Sequence, residues 1–289
     1  MKCTIVFIFC FFSLLSKAQN TANIEYGSNP SAEKYIDVND IKMYYEVYGK
    51  GEPLLLLHGG AGSIHDFSYQ IPELSKHYKV FAIDSRGQGR TTDSDKQITY
   101  TQMAADVAAF IDKLQLGSVN VLGWSDGGND GIELAYAFPD KVKKLIICGA
   151  NYTHENWVAG RDNVSMKSDD PLILKTKEFL AFRKNGYDTV NPAIKKKLNN
   201  LWKNYPNFTP DQLKTIKTPT LVIAGDRDIV NIDLTVTLYK SLPNAELFIV
   251  PHASHLALVE QPELLNPVIL KFLDTPFRKL DNFYIFRKN

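Results

Sequence analysis

The sequence predicts an α/β fold: a mostly parallel sheet with helices on both faces. Two observations carry this. Leu54-Leu55-Leu56-Leu57 is apolar at every position, and a strand without alternation is buried on both faces, as inner parallel strands are. Short β-rich runs also alternate with segments of helical apolar spacing, the pattern of βαβ units. A chain of 289 residues, 44% hydrophobic, can bury one large core of this kind. Its net charge of +1, with no basic tract, leaves no electrostatic footprint for nucleic acid or an anionic membrane.

The elements follow in chain order. Met1-Lys2 is a short positive start, Cys3 to Leu15 is apolar, and Ser16-Lys17-Ala18 places small residues before Gln19. This reads as a cleaved signal peptide, residues 1–18, and implies export to a periplasm or the exterior. The apolar run is too short to span a bilayer as an anchor. Cleavage would remove Cys3 and Cys10 and leave Cys148, in an apolar run, as an inert core thiol. It would also remove Lys2 and Lys17, taking the formal charge from +1 to −1.

Residues 19–32 are polar and read as a loose lead-in. Tyr35–Val38 and Ile41–Val47, joined at Asn39-Asp40, read as an antiparallel hairpin at the sheet edge. The leucine strand follows, then Val80–Ile83, a helix from Tyr100 to Leu116, the strand Val119–Leu122, a helix ended by Phe138-Pro139-Asp140, and the strand Leu145–Ile147. From Tyr152 to Leu213 no strand is evident. Helix-like pieces at Leu172–Arg183 and Ala193–Tyr205 suggest a helical insertion over the catalytic face. Alternation resumes with Thr220–Ala224, a helix Ile232–Leu242, the strand Glu246–Val250 and a helix Pro262–Phe272. The expected division is a core of residues 19–151 and 214–289 with a cap of residues 152–213.

The chemistry-bearing motif is Gly123-Trp124-Ser125-Asp126-Gly127-Gly128, at the junction of a strand and a helix. It fits Gly-x-Ser-x-Gly, in which a sharp turn lifts a serine hydroxyl out of the backbone. The glycines lack the Cβ atoms that would collide there. A second glycine-rich turn, His58-Gly59-Gly60-Ala61-Gly62, can point backbone N–H groups into a cavity, as stabilising an oxyanion requires. A serine needs a base, and the base an acid. In a parallel sheet both must sit at the carboxyl ends of strands. Two loops qualify: Gly225-Asp226-Arg227-Asp228, and Pro251-His252-Ala253-Ser254-His255. There is no histidine or carboxylate cluster at metal-ligand spacing, so neither a metal nor an organic cofactor is expected.

From Tyr35 to Phe272 the chain resembles the α/β-hydrolase superfamily. The resemblance rests on His58-Gly59-Gly60, Asp84-x-Arg86-Gly87-x-Gly89-Arg90-Thr91, the serine motif, Gly225-x-x-Asp228 and His255-x-x-x-x-Glu260-x-Pro262, together with the order serine, acid, histidine. Gly-Trp-Ser-Asp-Gly-Gly, with Gly149-Ala150-Asn151, brings it nearest to the biphenyl hydrolase-like (valacyclovir hydrolase-like) esterases. The resemblance implies an eight-stranded, mostly parallel sheet with a small helical cap. It implies Ser125 as nucleophile, His255 as base and Asp228 as acid, with Asp226 fixing its loop and His252 as the alternative base. The oxyanion donors would be the N–H groups of Gly60 and Asp126, with Ala61 as a substitute for Gly60. His58 would brace the oxyanion loop, and Asp84 and Arg86 would tie loops together. Candidate substrate contacts are Trp157, Trp202 and the Asp126 carboxylate, which could attract an ammonium group; the alternatives are packing anchors within the insertion for the tryptophans and a hydrogen bond across the serine turn for the carboxylate. The implied activity is hydrolysis of a small-molecule ester or related acyl bond. The competing readings are C–C bond or lactone hydrolysis, amidase or cofactor-free haloperoxidase activity, and a slow-turnover ligand receptor. Dehalogenation is disfavoured, because it needs an aspartate where Ser125 stands.

Overall fold

In the computed structural model, residues 24–155 and 171–278 are described. The expected signal peptide, Trp157 and the tail beyond Arg278 lie outside them. The strands are β1 (Glu33–Val38), β2 (Ile41–Tyr48), β3 (Pro53–Leu57), β4 (Lys79–Ile83), β5 (Val119–Trp124), β6 (Val142–Cys148), β7 (Thr220–Gly225) and β8 (Ala245–Val250). They form one sheet in the order β1-β2-β4-β3-β5-β6-β7-β8. The β1/β2 and β2/β4 pairs are antiparallel and all others are parallel.

The helices are α1 (Ile71–Leu74), α2 (Tyr100–Lys113), α3 (Asp126–Ala137), α4 (Pro171–Thr189), α5 (Pro192–Asn204), α6 (Pro210–Leu213), α7 (Ile232–Ser241), α8 (Ala257–Glu260) and α9 (Pro262–Asp274). The leucine strand divides between two cores. Leu55 and Leu57 pack with α2, α3 and α7 on one face, while Leu54 and Leu56 pack with α1, α8 and α9 on the other. Apolar residues at every position are what this double burial demands.

Several expectations are corrected. Helix α2 stops at Lys113, three residues early, where Gln115 and Gly117 turn to φ of 52° and 69°. Helix α4 runs on to Thr189. The short helices α1 and α8 were not expected. The lead-in, where described, is not loose: Gly27 and Asn29 donate their N–H groups to the buried Glu46 carboxylate at 3.0 and 2.9 Å. Thr153 and Asn207 form an antiparallel bridge at the base of a segment expected to hold no strand. Helices α4–α6 lie between β6 and β7, and α5 seats Ile194, Leu198 and Leu201 on Ile98, Tyr100 and Met103.

Candidate active site

Ser125 joins β5 to α3 with φ 53° and ψ −118°, a conformation that costs a non-glycine residue about 1–3 kcal/mol. Its neighbours permit it. A Cβ on Gly123 would lie 2.1 Å from the Gly127 carbonyl oxygen, and one on Gly127 would lie 1.9 Å from that of Leu57. The Ser125 N–H donates to Cys148 O at 2.8 Å, and its carbonyl accepts from Gly128 and Asn129 at 2.8 and 3.0 Å.

The loops after β7 and β8 bring their side chains to this serine. Ser125 Oγ stands 2.9 Å from His255 Nε2, and His255 Nδ1 stands 2.7 Å from Asp228 Oδ1. With Nδ1–H donating to the carboxylate, Nε2 is left to accept the serine proton. Asp228, 2% exposed at its side chain, also accepts the Val230 N–H at 2.9 Å. Asp226 does not approach the imidazole; it accepts the Ala253 N–H at 3.2 Å and ties the two loops together. His252 is exposed, with φ 57°. Glu260 holds the histidine loop by accepting from the N–H and the hydroxyl of Ser254, both at 2.7 Å. Gly149, at φ 63°, leaves room for the ring: a Cβ there would lie 2.9 Å from it.

Trp124, inside the serine motif, was not singled out from sequence. Its indole N–H donates to the His255 carbonyl at 2.9 Å, and its ring lies 5.8 Å from the imidazole. The Arg183 guanidinium, from α4, sits 4.9 Å over the same indole. No sequence signal marked Arg183, one cation among many in a polar helix.

Gly60 and Asp126 each present a backbone N–H with no acceptor among the described residues, and that of Asp126 opens α3. The Ala61 N–H is taken by Gln88 Oε1 at 2.6 Å, so it does not substitute for Gly60. The Asp126 carboxylate is buried and engaged at both oxygens, by the Tyr100 hydroxyl at 2.8 Å and by the Trp202 indole N–H at 2.6 Å. Of the two readings of this carboxylate, a structural hydrogen-bonding role and attraction of a substrate ammonium, these contacts favour the first. Burial raises its pKa, and the two hydrogen bonds pull the other way. Trp202 is half-buried and lies against Gly60. Arg86 and Asp84 do tie loops together: Arg86 reaches Asp40, Ser94 and Asp106, and Asp84 accepts the N–H groups of Ile64 and Arg90.

His58 braces the Gly59–Gly62 turn. Its Nδ1–H donates to Gly59 O at 2.8 Å and its Nε2 accepts the Ser85 N–H at 2.9 Å. Burial pushes its pKa down to about 4. Between that value and the ordinary 6.5, the unfolded chain takes a proton that the folded one refuses. Stability from this group is therefore complete above pH 6.5 and lost as pH falls towards 4, by about 3 kcal/mol. Asp66 and Asp84, raised by burial to about 6 and about 7, carry the opposite slope. The expected result is thus a difference: urea midpoints of wild type and His58→Gln converge as pH falls from 6.5 to 4. A constant gap would remove this role.

The comparisons agree with the geometry. Residues 52–172 match the family model described as alpha/beta hydrolase fold. The chain is 26% identical to a 2-hydroxy-6-oxo-6-(2'-aminophenyl)hexa-2,4-dienoic acid hydrolase of Metapseudomonas resinovorans, over 90% of this chain and 96% of that one. It is 28% identical to the human serine hydrolase BPHL, over 80% of this chain and 82% of the relative. Its fold is similar to that of an enol-lactonase from Burkholderia xenovorans LB400, with TM-score 0.70, 21% identity and coverage of 84% and 100%. Sheet order, strand-end loops and the matching relatives lead to one conclusion: this chain has the α/β-hydrolase fold.

Proposed function

We propose that this protein is a serine hydrolase cleaving an ester or related acyl bond of a small molecule through Ser125, His255 and Asp228. The observation that carries the reading is the continuous relay from Ser125 Oγ through both imidazole nitrogens to a buried carboxylate. In this mechanism Ser125 Oγ attacks the carbonyl carbon while His255 Nε2 takes its proton. The carbonyl electron pair moves onto oxygen, where the Gly60 and Asp126 N–H groups receive it; one such donor is worth about 2.7–4 kcal/mol of barrier. Collapse expels the leaving group, which takes the proton from His255, and leaves an acyl-serine. Water, deprotonated by His255, then releases the acid. Asp228 holds the imidazole tautomer and stabilises the imidazolium. The proposal includes export, supported by the arrangement of Lys2, the apolar run and Ala18.

The test is hydrolysis of p-nitrophenyl esters from acetate to octanoate by the 19–289 chain, with Ser125→Ala beside it. Expected is turnover that peaks at one acyl length, preceded by a p-nitrophenol burst. Similarity to a dienoic acid hydrolase favours a second reading, C–C bond hydrolysis. Ester turnover no greater than that of the alanine variant at every length would sink the esterase reading. Weight would then pass to that second reading, or to a slow-turnover receptor.

A further inference from the structure

The oxyanion loop is held from two sides by residues that the relay does not use. Gly59 to Gly62 form a four-residue turn closed by the Gly62 N–H on Gly59 O at 3.0 Å. Its third residue, Ala61, has φ 55°, the left-handed conformation that turns of this kind reserve for glycine. The Gly60–Ala61 peptide between them is gripped at both ends. Arg183 Nη2 donates to Gly60 O, and the Ala61 N–H donates to Gln88 Oε1 at 2.6 Å. Gln88 is 2% exposed. Arg183 is itself fixed, by Nη1 on Asp66 Oδ2 at 3.0 Å and by the Trp124 ring. The turn abuts the nucleophile, since a Cβ on Gly59 would lie 3.5 Å from Ser125 Cβ.

We propose that Arg183 and Gln88 are positioning residues: by fixing the Gly60–Ala61 peptide they hold the Gly60 Cα, and through it the N–H on the adjoining Gly59–Gly60 peptide, in place. The inference rests on the serine-hydrolase reading. Flipping the Gly60–Ala61 peptide would relieve Ala61 by allowing it a negative φ. The flipped turn would face the Ala61 N–H towards the guanidinium, donor against donor, and the Gly60 carbonyl towards Gln88 Oε1 until that amide turned over. The clamp therefore selects the strained turn. Because one jaw, Arg183, comes from α4, the anion site is complete only when that helix is seated on the core.

The test uses the 19–289 chain and a neutral p-nitrophenyl ester of the acyl length that wild type prefers. Arg183→Met and Gln88→Leu are each expected to lower kcat about 10- to 100-fold with KM little changed, as misplacing a catalytic group does. Their double variant is expected to lose no more than the worse single, because both act on one peptide. An alkyl trifluoromethyl ketone supplies the decisive readout. Ser125 Oγ adds to its carbonyl carbon, the proton passes to His255, and the carbonyl pair becomes an oxyanion in the hole. Its Ki is expected to rise by the factor that kcat/KM falls, while the matching methyl ketone binds as before. Ala61→Gly in the Arg183→Met background is expected to restore part of kcat, since glycine adopts the left-handed turn without the clamp.

Wild-type kcat in Gln88→Leu, which leaves α4 untouched, would overturn the proposal whether or not Arg183→Met folds. So would a loss confined to KM, or no rescue by Ala61→Gly. Equal activity in wild type and Ser125→Ala would instead remove the serine-hydrolase reading itself.

Discussion

Replacing Ser125 with alanine is expected to lower kcat about a million-fold, the scale of losing a nucleophile that works only with its base. His255→Ala is expected to cost about as much, and the double variant no more than either, because neither residue has a partner once the other is gone. Asp228→Asn is expected to cost about 10⁴-fold, since an amide stabilises the wrong imidazole tautomer. These losses are to be read as kcat under saturating ester, with folding checked by thermal melts. Alanine keeps the strain at φ 53°, so Ser125→Ala is expected to melt with wild type, while Ser125→Gly gains about 1 kcal/mol or more. An alanine variant retaining a hundredth of wild-type turnover would mean that another group attacks the carbonyl.

The largest expected loss of stability is at Arg86. Its side chain is fully buried and pairs with both oxygens of Asp106 at 2.8 Å and with Asp40 at 2.7 Å. Arg86→Met leaves the Asp106 carboxylate, 2% exposed, without its cation. Breaking a buried pair in this way costs about 3–5 kcal/mol, a large share of the roughly 5–15 kcal/mol that holds a domain folded. Asn39 and Gln102 still donate to Asp106 at 2.7 and 3.3 Å, which places the loss at the lower end. Urea midpoints check this, and Arg86→Met/Asp106→Leu is expected to recover part of the loss by removing the stranded charge. A double variant no better than the single would mean that lost packing, not the uncompensated carboxylate, sets the cost.

What could be read from the chain and what could not divide along physical lines. The leucine strand and the serine turn were legible because their causes are local: double burial needs apolar residues at every position, and a tight turn needs missing Cβ atoms. The Gly225-x-x-Asp228 and His255 loops were legible from their place after strands. Helices α1 and α8 were not, because four residues are too few to show a period. Arg183 and Gln88 were missed because their roles depend on a peptide 123 and 27 positions away in sequence. The partners of the Asp126 carboxylate were not legible for the same reason: Tyr100 and Trp202 lie 26 and 76 positions away, and one of them is on α5.

That carboxylate has a consequence for how the protein can change. Trp202 donates to Asp126, Tyr100 donates to the same carboxylate, and Asn129 joins the Tyr100 hydroxyl to Asn151 at the root of the inserted helices. Under the proposed mechanism, the residue at the centre of this chain also lends its backbone N–H to the transition state. With Trp202 as the proposed liner of the acyl pocket, shrinking it to admit a bulkier acyl group would leave one oxygen of this buried carboxylate without its donor, so selectivity and rate would be inherited as a single trait there. Adaptation to new substrates is cheap only where a side chain faces the pocket without also holding the machinery, or where positions 126 and 202 change together.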